Sequence, residues 1–143
     1  MITLQDLIDR FGSDELTQLT DRQGYKVIDE TVIDRAISDA EGEVATYLQP
    51  VGLIGIDTLG NVIYLKATKV PAALVLKTCD VARYYLYENG TTEIVEKRYD
   101  DAIKWLDKVK KDPTMLTGPI ATPSNTGSGV VVIPNPIPNR YGE

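Results

Sequence analysis

A chain of 143 residues with 43% apolar and 25% charged residues is one soluble globular domain's worth of sequence, with little room for a second core. Its net charge of −6 argues against a nucleic-acid partner held by its phosphates. It has no histidine and a single cysteine, Cys79, which removes the usual triad partner, an intrachain disulfide and a thiolate metal cage.

Nothing in the chain approaches the run of about 18 apolar residues that spans a bilayer. The opening MITLQDLIDRFG is amphipathic and acidic, so the expectation is a chain without a secretory signal, kept in the cytosol. Charge is unevenly spread. Residues 1–49 carry eleven acids and four bases, whereas residues 50–111 carry eight acids and ten bases. Two surfaces of opposite sign can pair between copies, or simply be differing solvated helix faces.

Thr3 with Asp6 reads as a capping box, and Leu4, Leu7, Ile8 and Phe11 follow helical spacing. Gly12 supplies a stop and Ser13 a new N-cap for a brief turn, Asp14–Leu19, whose Leu16 and Leu19 pack back on the first helix. Asp21 through Val32 has the rhythm of a calcium loop. Position 6 is Lys26 where a glycine is needed and position 12 is Val32 where an acid is needed, so the stretch reads as a capped turn.

Asp29 or Thr31 caps a helix to about Gln49, with Ile33, Ile37, Ala40, Val44, Tyr47 and Leu48 as its apolar stripe. Gly42 falls on the opposite, polar side. After Pro50, two β-prone runs around Gly60-Asn61 predict a hairpin or extended arm over 51–69. Such a hairpin is marginal alone and must lie on the helices or on a neighbour.

Pro71 opens a third helix to about Asn89, the central and most buried one, with Leu74, Val75, Thr78, Cys79, Val81, Ala82, Tyr85 and Leu86 as its apolar band. Thr91 or Thr92 caps a fourth to about Lys111, with Val95, Tyr99, Ala102, Leu106 and Val109 in the seam. Six of the eight prolines lie beyond residue 111, and prolines at that density predict extended backbone over 112–143. Within this tail, Val130-Val131-Val132-Ile133 is an uncharged β-branched run suited to adding as a strand to a sheet edge. The expected architecture is therefore mainly α: a compact bundle of about four helices over 1–111, with a hairpin-like arm at 51–69 and a proline-rich tail at 112–143.

No catalytic constellation emerges. Asp100 and Asp101 point about 100° apart on a helix and cannot converge on one substrate. Asp80 and Arg83, three apart, read as a surface ion pair. The candidate sites are for interaction: Tyr84 and Tyr87 on the polar side of the third helix, Trp105 on the flank of the fourth, and Val130, Val131, Val132 and Ile133 in the tail. For the tyrosines an interface patch and a half-buried structural role stand side by side. The expectation is a protein without catalytic residues, cofactor or metal.

The Leu7-Ile8-Asp9-Arg10-Phe11-Gly12 opening, the Glu15-Leu16-Thr17-Gln18-Leu19-Thr20-Asp21 turn and the Val32-to-Leu48 helix come in a telling order. The Cys79-Asp80-Val81-Ala82-Arg83-Tyr84-Tyr85-Leu86-Tyr87 and Arg98-Tyr99-Asp100-Asp101-Ala102-Ile103 helices complete it. Over roughly residues 3–118 this layout resembles the structural-module protein of Mu-like phages and prophages, grouped with helical head–tail connectors, or adaptors. The resemblance implies a homo-oligomeric ring in the virion neck, assembled in the host cytoplasm. The ring would dock under the portal protein, receive a stopper or tail-completion protein, and let DNA through its channel without specific binding or membrane contact. The 51–69 arm is longer than the linker that the resemblance implies. A small helical interaction or regulatory domain of a prophage is the alternative.

Overall fold

The computed structural model describes residues 1–118. The elements run α1 (Leu4–Phe11), α2 (Ser13–Thr20), α3 (Glu30–Leu48), β1 (Ile54–Ile56), β2 (Val62–Tyr64), α4 (Ala72–Leu86), α5 (Glu93–Lys111) and α6 (Thr114–Thr117). The molecule is mainly α with one small antiparallel sheet, as the residue patterns predict.

Local chemistry places most boundaries. The α1 capping box closes in both directions, with the Asp6 amide donating to Thr3 Oγ1 and the Thr3 amide to Asp6 Oδ2. Of the alternative caps, Asp29 serves α3 and Thr92 serves α5. Three expectations shift. The N-cap of α2 is Gly12, not Ser13, because only glycine sits easily at φ 86°, where the chain turns between α1 and α2. Helix α4 ends at Leu86, short of Asn89, when the Tyr87 amide folds back to the Tyr84 carbonyl. The third shift concerns the start of the tail: residues 114–117 are helical, not extended, since Pro113 stands at a helix start, where proline's missing N–H costs nothing.

Three helices form the frame. The start of α3 (Val32, Ile33, Ala36) shares a core with the end of α4 (Val81, Ala82, Leu86), and with α1 and α2 through Leu7 and Leu16. The end of α3 (Val44, Leu48) shares a second cluster with the start of α4 (Leu74), the end of α5 (Leu106, Val109) and the hairpin (Leu53, Ile54). The consecutive helices α3–α4 and α4–α5 are therefore antiparallel, α3 and α5 run parallel, α1–α2 close one end and the hairpin covers the other. Each fully buried leucine contributes about 1.5–3 kcal/mol to that association.

Two buried polar groups tie the short elements to the frame. Thr20 Oγ1 donates to the Leu16 carbonyl at 2.8 Å and accepts the Asp29 amide at 2.9 Å, joining the end of α2 to the cap of α3. Glu41, 9% exposed, accepts the Ile2 amide at 2.9 Å and holds the segment before α1 against α3.

Candidate functional site

The polar and aromatic side chains of the bundle form three constellations. In the first, the Glu43 carboxylate on α3 accepts the Tyr85 hydroxyl at 2.6 Å and the Tyr99 hydroxyl at 2.9 Å, from α4 and α5. One carboxylate thus braces three helices. Burial first, then the hydrogen bond and charge of Glu43, push both phenols well above their ordinary value. Tyr84 lies flat on Tyr99, with ring centroids 3.9 Å apart and planes 17° from parallel.

The second constellation corrects the expected Asp80–Arg83 pair. Arg83 donates from Nε at 2.7 Å and from its terminal Nη2 at 2.8 Å to the two oxygens of Glu15 on α2. Its guanidinium also sits 4.5 Å from the centre of the Phe11 ring. Asp80 is buried instead, at 5% exposure, and its Oδ1 has no hydrogen-bond partner among the described residues. Desolvation raises its pKa, against the pull of Arg98, Lys77, Arg83 and Arg10. The cause is the position of α4: it packs against α1, α3 and α5, so even its polar flank is covered.

The third is the 21–29 loop. Asp21 Oδ1 accepts the amides of Gln23, Gly24 and Tyr25, and Oδ2 accepts that of Lys26 at 2.6 Å. Desolvation works upward on the Asp21 pKa, yet the four backbone donors together hold it below the usual carboxylate range. Those donors occupy the lone pairs that a cation would need, and Tyr25 is left 72% exposed at the loop surface. Among the described residues no group of three or more metal-ligating side chains converges.

Tyr84 and Tyr87, with Tyr85, line a hollow of about 450 Å³ at the end of α4. Tyr87 is half-buried, and desolvation first and then nearby Glu15 raise its hydroxyl's pKa. Trp105 is not part of that surface. It packs, half-buried, on the opposite cluster beside the hairpin and α6. Val130, Val131, Val132 and Ile133 lie outside the described residues. Sequence reasoning missed Glu43, whose spacing on α3 shows a polar residue beside the stripe but not its partners, and Asp57. The Asp57 carboxylate accepts the Leu59 and Asn61 amides at 2.9 and 2.8 Å and shapes the hairpin turn. An Asp three residues before Gly60-Asn61 was the available signal.

Fold and side-chain use together define a small helical-bundle protein whose charged and aromatic groups brace its own helices and whose hairpin caps one end of the core. A family model described as "Bacteriophage Mu, Gp36" matches residues 2–133, from the segment before α1 through the Val130–Ile133 run, and the chain belongs to that family. It is 30% identical over 105 residues to the Mu-like prophage FluMu protein gp36 of Haemophilus influenzae, an alignment covering 73% of this chain and 67% of the relative. It is also 30% identical over 125 residues to Gene product J of Escherichia phage Mu, covering 85% and 81%. No described helix is long and apolar enough to cross a membrane.

Proposed function

We propose that the chain is a non-catalytic virion-assembly protein, a head–tail connector subunit that forms a ring in the neck, between the portal and a stopper or tail-completion protein. The observation that carries this reading is membership of the Mu family across body and tail alike. The use of its polar groups agrees with it. Glu43, Glu15, Arg83 and Asp21 hold elements together and present no convergent reactive set, as suits a stiff building block. A closed ring needs two unlike faces on each copy, and the acidic N-terminal half against the more basic 66–111 region supplies one such pair.

Deleting residues 119–143 from the phage gene provides the test. The truncated protein should stay helical and soluble, and lysates should accumulate DNA-filled heads and finished tails that are not joined. Joined particles in normal number, seen by negative-stain microscopy, would overturn the further reading that the tail, through its Val130–Ile133 run, takes part in the assembly contact. Joined particles from a phage lacking the whole gene would overturn the connector reading itself.

A further inference from the structure

Both edges of the two-stranded sheet lack a further backbone partner among the described residues; the backbone hydrogen bonds show which groups the β2 edge presents. The Asp57 amide donates to the Asn61 carbonyl and the Leu65 amide to the Leu53 carbonyl, both at 2.9 Å. Bonded and non-bonded pairs alternate along an antiparallel ladder. Gly55 and Ile63 are therefore the bonded pair between those two, while Val62 and Tyr64 turn their N–H and C=O groups away from β1. None of these four groups has a backbone partner among the described residues. A mostly apolar groove of about 310 Å³ lies against β2, lined by Met1, Val62, Ile63, Tyr64, Ala67 and Val70 with one polar residue, Thr68. An uncovered edge with an apolar floor invites another strand.

The last described residues belong to the same end of the bundle. Leu116 of α6 packs on the same cluster as Met1, Val62, Tyr64 and Val70. Residues 119–129 are all that separates Gly118 from Val130. Twelve steps reach about 40 Å when extended and roughly 20 Å as a flexible coil. The longest helices, at 19 residues, are only about 28 Å long. The tail run can therefore return to the groove without strain. It is uncharged and β-branched, which suits an apolar edge, and Pro134, which has no N–H for a ladder, directly follows it.

We infer that the outer edge of β2 is the seat of this chain's own Val130–Ile133 segment, which adds there as a third strand within the same molecule. The inference rests on the reading of the tail as an edge-seeking strand and needs no ring. It gives the free subunit a covered edge, and it names the contact that assembly would have to exchange or keep.

Cysteine pairing in the full-length free protein tests it. Ile63→Cys is combined in turn with Val130→Cys, Val131→Cys, Val132→Cys and Ile133→Cys. Relative to an incoming strand, Ile63 occupies a non-hydrogen-bonded position, where antiparallel Cα atoms lie about 4.5 Å apart, within disulfide range. Native Cys79 is fully buried and does not compete. The expected result alternates with period two: two tail positions form an intramolecular disulfide at least tenfold faster than the two between them. In the unmodified chain the Val62 and Tyr64 amides should also exchange at least tenfold more slowly than in Val132→Pro, a change outside the described residues. Equal coupling at all four positions, coupling only between molecules, or unchanged amide exchange in Val132→Pro overturns the inference. A tail-deleted phage that fails to join heads to tails would still stand in that case, so the two ideas fail separately.

Discussion

Replacing Glu43 by alanine removes the one acceptor shared by Tyr85 and Tyr99 and leaves two hydroxyls on α4 and α5 without their partner. A hydrogen bond to a charged group contributes about 1.5–3 kcal/mol net. Both rings are only half-buried, so water can satisfy the freed hydroxyls in part, and the lower end of that range applies to each. The expected cost is about 2–3 kcal/mol, or roughly 6–12 °C in Tm at 3–4 °C per kcal/mol for a chain of this size. Glu43→Gln keeps one carbonyl oxygen and should cost about 1 kcal/mol. Urea unfolding followed by far-UV circular dichroism measures both, and a double-mutant cycle with Tyr85→Phe and Tyr99→Phe isolates the coupling. The pH dependence has a definite sign. With both phenols raised in the folded state, mainly by burial and then by Glu43, their contribution is complete below the ordinary tyrosine value of 10.0 and declines as pH rises above it. A Glu43→Ala protein within about 0.5 kcal/mol of the parent, well inside ordinary surface-substitution scatter, refutes the three-helix brace.

Arg83→Lys cannot reproduce the two-pronged contact to Glu15 or the stacking on Phe11, and should lose about 1–2 kcal/mol in chemical denaturation; Arg83→Ala should lose more. Asp80→Asn should raise Tm at pH 7, because desolvation disfavours the charged form of the buried carboxylate and the amide carries no charge. The raised pKa means that the native carboxyl is at its most favourable below 3.8, so the gain should shrink as pH falls toward 3. Burial pushes the Cys79 thiol up to about 12; a thiol reagent at pH 8 should leave it unlabelled in native protein and label it fully in concentrated urea. Asp21→Ala should speed amide exchange at Gly24, Tyr25 and Lys26 with little change in global unfolding. In the parent the same loop should loosen only as pH drops below 3.8, since a depressed pKa confers stability that is lost through the folded-state value.

What was legible in the sequence is what adjacent residues decide. Thr3 with Asp6, Asp29 and Thr92 lie within four residues of the amides they cap, and Pro71 sets its own φ, so four helix starts follow from short windows. The hairpin was legible because two β-prone runs flank the Gly60-Asn61 turn. Partner choice was not. Glu15 and Arg83 are 68 positions apart, and Glu43 and Tyr99 are 56 apart, so no local window relates them. Asp80 shows the same limit differently. Its neighbours on α4 mark it as polar flank, and only the packing of three other helices around α4 buries it. The helical turn after Pro113 was readable in principle, as proline at a helix start, but the proline density downstream outweighed it.

These partner choices bear on how such a subunit can bind anything. A side chain already bonded to its own bundle offers a partner little unless that bond breaks, and the carboxylates of Glu15, Glu43 and Asp21 are so engaged. Besides the unevenly spread charge, exposed apolar side chains offer recognition surface, and two groups of them stand out among the described residues. Tyr25 and Val27, 72% and 57% exposed, stand on the loop between α2 and α3, at the end closed by α1 and α2. Leu59, Ile56 and Leu65, 85%, 50% and 51% exposed, stand on or beside the hairpin at the opposite end. One is a loop bearing an exposed tyrosine and fixed by a carboxylate, the other the exposed face of a short hairpin. A rigid three-helix spacer between two unlike ends is what head-to-tail contact between copies requires, because a face that matched itself would close a dimer and stop. The internal bracing thus bears on the proposed ring directly: bonds such as those of Glu43 to Tyr85 and Tyr99 resist changes in the separation and angle of the two ends, the quantity that sets whether successive copies close.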